Sequence, residues 1–365
     1  MRKSAELDGA MAGSSAIWFT RAYVSEVRHG GRVNRIISRR IRDEVNRKGM
    51  GEDNSSSKRR CATAEDWEMF EKKIVRPRPR LFGAVAAYSL LSGLPHEDIV
   101  RNGGSEIFRL LWFLGSSQDD LIDEIPKIEI EGMNKVQRKA RIRRAVFGNE
   151  RTFYQCSYAV IIQTLSQSGI PEEGKVYLKR KFAEWYRFLT EQEADVLGTD
   201  LPMMSYKYCK NYREQQNGQI GSVLVACLNG MRCLDPGLQE LERDVPLLSF
   251  RTQIVDDIAD TVEDLSMGRP SYVVGALVDN PNDMARVLEF IRSRPEVAKF
   301  TPKLLRTLAP RSFDTVKGDY DGYANELMRH GKRGKFLVGL GDPLFYLFPA
   351  YRDLMYRINP NYANF

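Results

Sequence analysis

The sequence predicts an all-α protein, a single bundle of about ten helices preceded by a short arm. Three observations carry this expectation. From Ala62 onward, apolar residues recur at helical spacing over long segments: 81–93, 104–124, 134–148, 151–168, 172–196, 203–230, 237–265 and 282–293. Alternating Thr/Val-rich runs bounded by turns are scarce, so the signal for strands is missing. No short-period repeat is visible, which argues against a helical solenoid. The 365 residues, 42% hydrophobic and 28% charged, suffice for a large core and exclude intrinsic disorder over most of the chain.

Taken in order, residues 1–60 read as a basic, partly helical arm and residues 61–365 as the helical domain. Residues 1–13 look like a loose tail. Val33, Ile36, Ile37, Ile41 and Val45 then fall at helical spacing with arginines opposite. Gly49 to Arg60 is a polar, Gly/Ser-rich break and the best linker candidate. Within the domain, punctuation comes from Pro95, Pro126, Gly169-Ile170-Pro171, Gly198, Pro202, Asp235-Pro236 and Gly268-Arg269-Pro270.

Composition removes several functional classes. The formal charge is +7, but residues 1–60 carry 14 basic against 7 acidic residues, and the remainder carries 41 of each. The body therefore has no basic surplus to follow a phosphate backbone, and no nucleic-acid partner is expected. Five cysteines without a C-x-x-C pair, and three isolated histidines, make neither a disulfide framework nor a zinc site. The longest apolar stretch, Leu81 to Leu94, is too short to cross a membrane. Residues 1–25 lack a continuous apolar core of the signal-peptide kind, so the expected location is the cytoplasm.

Two helical segments concentrate acids. In the first, Asp119 and Asp123 share a helix face, with Asp120 and Glu124 in a parallel row beside them. In the second, Asp256, Asp260 and Asp264 stack over two turns, with Asp257 alongside and Glu263 following. Like charges four residues apart cost a helix ~0.2–0.5 kcal/mol per pair even when exposed. Both clusters lie in otherwise apolar sequence, so a positive charge should compensate them; arginine or divalent cations would serve. Mg²⁺ fits best, because it takes hard oxygen ligands and is typically held by one or two carboxylates plus substrate phosphates. An EF-hand calcium loop does not fit, since neither segment has the D-x-D-x-D-G pattern. Two carboxylate helices facing each other around Mg²⁺ and a diphosphate would assist C–O heterolysis without a nucleophile.

These motifs resemble the class I isoprenoid synthase superfamily. The D-D-x-x-D of Asp119-Asp120-x-x-Asp123 and the Q-x-x-D-D-x-x-D of Gln253 to Asp260 are similar to its two aspartate motifs. Arg76-Pro77-Arg78-Pro79-Arg80, the small-residue stretch Ala84 to Gly93, and Gly268-Arg269-Pro270 look like segments of trans-prenyl diphosphate synthases. The resemblance covers roughly residues 70–275. It implies the isoprenoid synthase fold, a helical bundle around a central cavity, with Mg²⁺ (three ions per site, Mn²⁺ able to substitute) as cofactor.

The departures from that pattern point toward cyclisation. Ile74-Val75 stand where a Gly-Lys that grips isopentenyl diphosphate is expected, and Ile125-Pro126-Lys127-Ile128 replace an arginine pair and glycine. Tyr212 to Gly218 is more similar to the terpene cyclase helix that carries a diphosphate-sensing arginine, and Arg213 lies 43 residues before Asp256, close to that family's spacing. Asp256, Asp260 and Asp264 have the spacing of the cyclases' second metal motif, with acids in place of its Asn and Ser.

The expected activity is a Mg²⁺-dependent terpene synthase, a diphosphate lyase acting on a C15 or C20 allylic diphosphate. A prenyltransferase, either chain-elongating or joining two prenyl diphosphates head to head, is the alternative, and a non-catalytic subunit is the third reading. Asp119, Asp120, Asp123, Asp256, Asp257, Asp260 and Asp264 are the expected metal ligands. Arg213, Arg78, Lys207 and Arg269 are the expected diphosphate ligands. Phe108, Leu111, Trp112, Gly115 and Ser116, one to three turns above Asp119, are the expected pocket wall. The substrate is the one partner expected, and the sequence leaves a homodimer open.

Overall fold

The structure is a computed structural model that describes residues 24, 32–47, 68, 89, 94–111, 113, 132–147, 152–196, 201–232 and 239–346. Among the described residues every regular element is a helix and none is a strand, as the periodicity predicts. Backbone contacts divide the chain into two units: Met1–Gly198 with Val223–Gln239, and Thr199–Ser222 with Glu240–Phe365. None of the described helices is long and apolar enough to cross a membrane.

The first unit contains α1 (32–47), α2 (His96–Arg101), α3 (104–111), α4 (Lys135–Phe147), α5 (Thr152–Gln167), α6 (Glu172–Val196) and the last turns of α7 (Tyr206–Met231). The apolar face of α1 is the buried one: Val33, Ile37, Ile41 and Val45 all lie in the core. Ile37 and Ile41 are fully buried, which stabilises the unit by ~1.5–3 kcal/mol each. Polar side chains then fix the helix in place. Arg40 donates to Glu106 Oε2 at 3.1 Å and to Thr164 Oγ1 at 2.9 Å, and the buried Arg109 donates to Asn34 Oδ1 at 2.9 Å. α4 starts in a reciprocal cap: Asn134 Oδ1 accepts from the Gln137 amide at 3.0 Å, and Gln137 Oε1 accepts from the Asn134 amide at 2.9 Å. Its first turns run antiparallel to the end of α6, where Lys135 pairs with Asp195 at 2.7 Å and Lys139 with Glu191 at 3.4 Å. α6 meets α7 at Gly174, where a Cβ would come within 2.2 Å of the Gly230 carbonyl oxygen.

The second unit contains the first turns of α7, then α8 (Leu241–Ala259), α9 (Thr261–Met267), α10 (Tyr272–Val278), α11 (Pro281–Ser293), α12 (Pro302–Leu308), α13 (Pro310–Met328) and α14 (Gly331–Tyr346). The apolar run Tyr-Val-Val-Gly-Ala-Leu makes α10 buried from Tyr272 to Leu277. It begins at Ser271, whose hydroxyl accepts from the Val274 amide at 3.2 Å. Proline supplies the first helical position of α11, α12 and α13, where its missing N–H costs nothing. α7 and α10 touch backbone to backbone at Gly275, since a Cβ there would lie 2.8 Å from Tyr206 Cα. α8 packs against α13 and α14. Asp244, fully buried on α8, accepts from Arg333 Nε at 2.8 Å, and Glu240 holds the same guanidinium at 2.7 Å. Arg251, also buried, donates to the Val338 carbonyl at 3.2 Å and lies 4.2 Å from the centre of the Tyr320 ring.

The segment 237–265, expected as one helix, is interrupted at Asp260, whose φ of −94° and ψ of 13° end α8 and begin α9. The turn-to-turn hydrogen bonds persist across the join. The Asp260 amide donates to the Asp256 carbonyl at 2.8 Å, and the Asp264 amide to the Asp260 carbonyl at 2.9 Å. α9 ends at Gly268, where a φ of 59° requires the left-handed conformation that glycine adopts freely. The helices of residues 302–346 lie beyond the segments whose periodicity is legible in the sequence.

Candidate functional site

The second acidic segment crosses the α8–α9 join, and its four aspartates differ sharply in environment. Asp256 is exposed and the Asp260 side chain is 28% exposed, whereas those of Asp257 and Asp264 are 1% and 5% exposed. The row Asp256–Asp260–Asp264 thus runs from solvent into the protein. Asp257 and Asp264, seven residues apart and therefore two turns apart, form the buried pair.

Arg213 on α7 reaches that pair. Its Nη2 lies 3.2 Å from Asp257 Oδ1 and 4.0 Å from Asp264 Oδ2. The guanidinium is steadied along its own helix by Gln216, which accepts from Nη1 at 2.9 Å. Asp257 uses both oxygens for the protein: Oδ1 also accepts from Gln253 Nε2 at 2.6 Å, and Oδ2 accepts from the Tyr272 amide at 2.7 Å. It thereby joins α8, α7 and the start of α10. Burial pushes the Asp257 carboxyl above the usual range, with Arg213 acting in the opposite direction. Burial likewise pushes Asp264 up to about 8, again against Arg213. The buried Asp264 Oδ2 accepts no hydrogen bond.

The outer acids meet different cations. Lys299, in the stretch before α12, pairs with Asp260 and lies 3.4 Å from Glu263. Arg269 donates to the other Glu263 oxygen at 3.1 Å. Toward the start of α7, a second polar network leads into the core. Lys210 pairs with Asp319 at 2.7 Å, the Tyr206 hydroxyl donates to Asp319 at 2.6 Å, and Tyr323 bridges Glu214 and Tyr272. Burial raises the Tyr206, Tyr272 and Tyr323 hydroxyls well above the ordinary tyrosine range, so all three stay protonated donors.

Among the expected diphosphate ligands, Arg213 is brought to the aspartates, Arg269 is paired with Glu263, and Lys207 is exposed on α7. Phe108 and Leu111 are buried in the first unit. Leu111 lines an apolar hollow with Ile107, Ile161 and Phe182. Asp119, Asp120, Asp123, Trp112, Gly115, Ser116 and Arg78 lie outside the described residues.

The residues of the second segment fit a hard divalent cation in one specific sense. Among the described residues no group of three or more His, Cys, Asp or Glu side chains forms a ready-made cage. The carboxylates nearest solvent are Asp256, Asp260 and Glu263, the last two paired with Lys299 and Arg269, and Asp264 lies inside. That set suits an ion held by one or two carboxylates and completed by water and phosphate, the usual manner of Mg²⁺. Sequence reasoning missed Lys299, which stands 35 residues beyond Asp264 with no motif around it, and Ser271, whose Ser-x-x-Val cap is a common local pattern. No known protein family, curated protein or solved structure matches this chain.

Proposed function

We propose that the chain is a Mg²⁺-dependent class I terpene synthase, which ionises an allylic C15 or C20 prenyl diphosphate and lets the carbocation cyclise or be quenched. The supporting observation is the contact of Arg213 with Asp257 and Asp264, 3.2 and 4.0 Å across two separate helices. Arg213, the arginine expected to hold the diphosphate, thus stands beside the second acidic segment. Divalent cations, when bound, neutralise the departing diphosphate. Asp256 and Asp260 present oxygens for such ions. Asp257, fixed by Gln253 and the Tyr272 amide, holds Arg213 at the inner end of the row. In this reading a bound diphosphate takes over the Nη donors that Gln216 and Asp257 occupy in the free chain.

One observation favours a second reading, a non-catalytic subunit built on the same architecture. Asp257, Asp264, Asp260 and Glu263 all have cationic partners within the chain, so the charge of the row is compensated without metal. Incubation with Mg²⁺ and C10, C15 or C20 diphosphates, with and without isopentenyl diphosphate, separates the readings. Hydrocarbon or alcohol formed without the C5 unit supports the synthase. Longer diphosphates formed only with it, or a C30 or C40 product, indicate a prenyltransferase. No turnover of any substrate indicates the non-catalytic subunit.

A further inference from the structure

Lys299 is placed with more care than a surface lysine needs. Its neighbour Phe300 is buried, packs edge-on against Phe290 with ring centres 5.9 Å apart, and donates its amide to the Ala259 carbonyl at 3.1 Å. The next residue, Thr301, caps α12 by accepting from the Leu304 amide at 3.1 Å. Anchored on both counts, the chain sets Lys299 over the α8–α9 join, where its ammonium pairs with Asp260 and lies 3.4 Å from Glu263. The three side chains are 26%, 28% and 44% exposed, so solvent ions can reach the pair. The inner pair differs, because the Arg213 and Asp257 side chains are only 14% and 1% exposed. An ammonium on a flexible four-carbon stem is a hydrated point charge that exchanges readily with other cations, unlike a forked guanidinium locked in the interior.

We infer that Lys299 is a built-in counter-cation for the outer carboxylates, and that a divalent ion binds at Asp260 by displacing its ammonium. The inference rests on the metal-binding reading proposed above. The charge of Asp260 is offset while no ion is bound, and the displaced ammonium remains tethered beside the site by Phe300. Lys299 therefore competes with metal, and its charge weakens metal affinity in the absence of substrate.

The test is Mn²⁺ binding to the full-length chain without diphosphate, read as loss of the free-ion electron paramagnetic resonance signal. Lys299→Met keeps most of the stem and removes the charge, so it should tighten Mn²⁺ binding about 3- to 10-fold, as expected for one nearby, partly screened charge. Lys303→Met, which removes an exposed charge four residues away, should change it less than about 2-fold. Lys299→Arg should stay near wild type. The metal-free Lys299→Met protein should melt below wild type and recover more of that loss on adding Mn²⁺. Two results overturn the inference. If Asp260→Asn weakens Mn²⁺ binding but Lys299→Met leaves it unchanged or weaker, Lys299 does not compete, and the metal reading survives. If neither wild type nor Lys299→Met takes up Mn²⁺, the metal reading falls and the inference with it. Circular dichroism on each variant distinguishes these results from misfolding.

Discussion

Replacing Arg213 by methionine removes a charge that lies between two buried carboxylates. Asp257 and Asp264 are 1% and 5% exposed, so neither can recover its hydration by a small movement. Removing one partner of a buried ion pair while leaving the other costs ~3–5 kcal/mol. The nearer contact, 3.2 Å to Asp257, should account for most of the loss. The farther one, 4.0 Å to Asp264, depends on pH because that carboxyl titrates at about 8. The guanidinium holds the Asp264 carboxyl down against burial, so in the variant that carboxyl titrates still higher, and the loss should grow by ~1–2 kcal/mol between pH 6 and pH 9. Hydrogen exchange followed by mass spectrometry on peptides spanning 253–278 reads the effect directly. Arg213→Met should speed their exchange by about 100-fold or more in metal-free buffer, and adding Asp264→Asn should restore part of the protection at pH 9. Acceleration below about 10-fold, with no difference between pH 6 and pH 9, would refute the reasoning that this arginine neutralises a buried acid pair.

Other expectations follow from single residues. The Asp264 carboxyl is raised in the folded chain, so its contribution to stability is full below about pH 4, the ordinary carboxylate value, and is lost as pH rises through about 8. Unfolding free energies from urea titrations in chelator should fall across that window, by up to ~1 kcal/mol per pH unit, and Asp264→Asn should flatten the fall. Gly275→Ala should cost ~1–3 kcal/mol, because the added methyl meets Tyr206 Cα at 2.8 Å and Cys209 Cβ at 2.9 Å; thermal melts would show it. Gly318→Ala, on the exposed side of α13 with nothing within 4 Å of the new methyl, should instead raise stability by ~0.5–1 kcal/mol in the same assay.

The helical class was legible because its signal is local. The face of α1 shows this: Val33, Ile37, Ile41 and Val45 recur at helical spacing and are the residues that bury. The meeting of Arg213 with the second acidic segment was foreseeable from the spacing of a resembling family, although the two are more than 40 residues apart. Periodicity alone placed Asp256, Asp260 and Asp264 on one face, but it carries no depth. Whether a residue on that face meets water or Arg213 depends on what packs over α8 and α9, which here is α7 and the start of α10. Buried arginines defeat pattern reading for the same reason. Arg109 and Arg251 look like solvated charges in sequence, and become core residues because Asn34, the Val338 carbonyl and the Tyr320 ring are brought to them from distant segments. Lys299 reaches Asp260 only through the turn after α11, which no local spacing encodes.

The most direct measurement of the central claim is release of inorganic pyrophosphate from farnesyl or geranylgeranyl diphosphate by the purified chain, with Mg²⁺ and with chelator. The account predicts Mg²⁺-dependent release from at least one of them, lowered by about 100-fold or more in Arg213→Met, as expected for a lost charge on a departing diphosphate. Release that persists in chelator, or that is unchanged by Arg213→Met, would contradict it, as would no release from either substrate by the folded wild type.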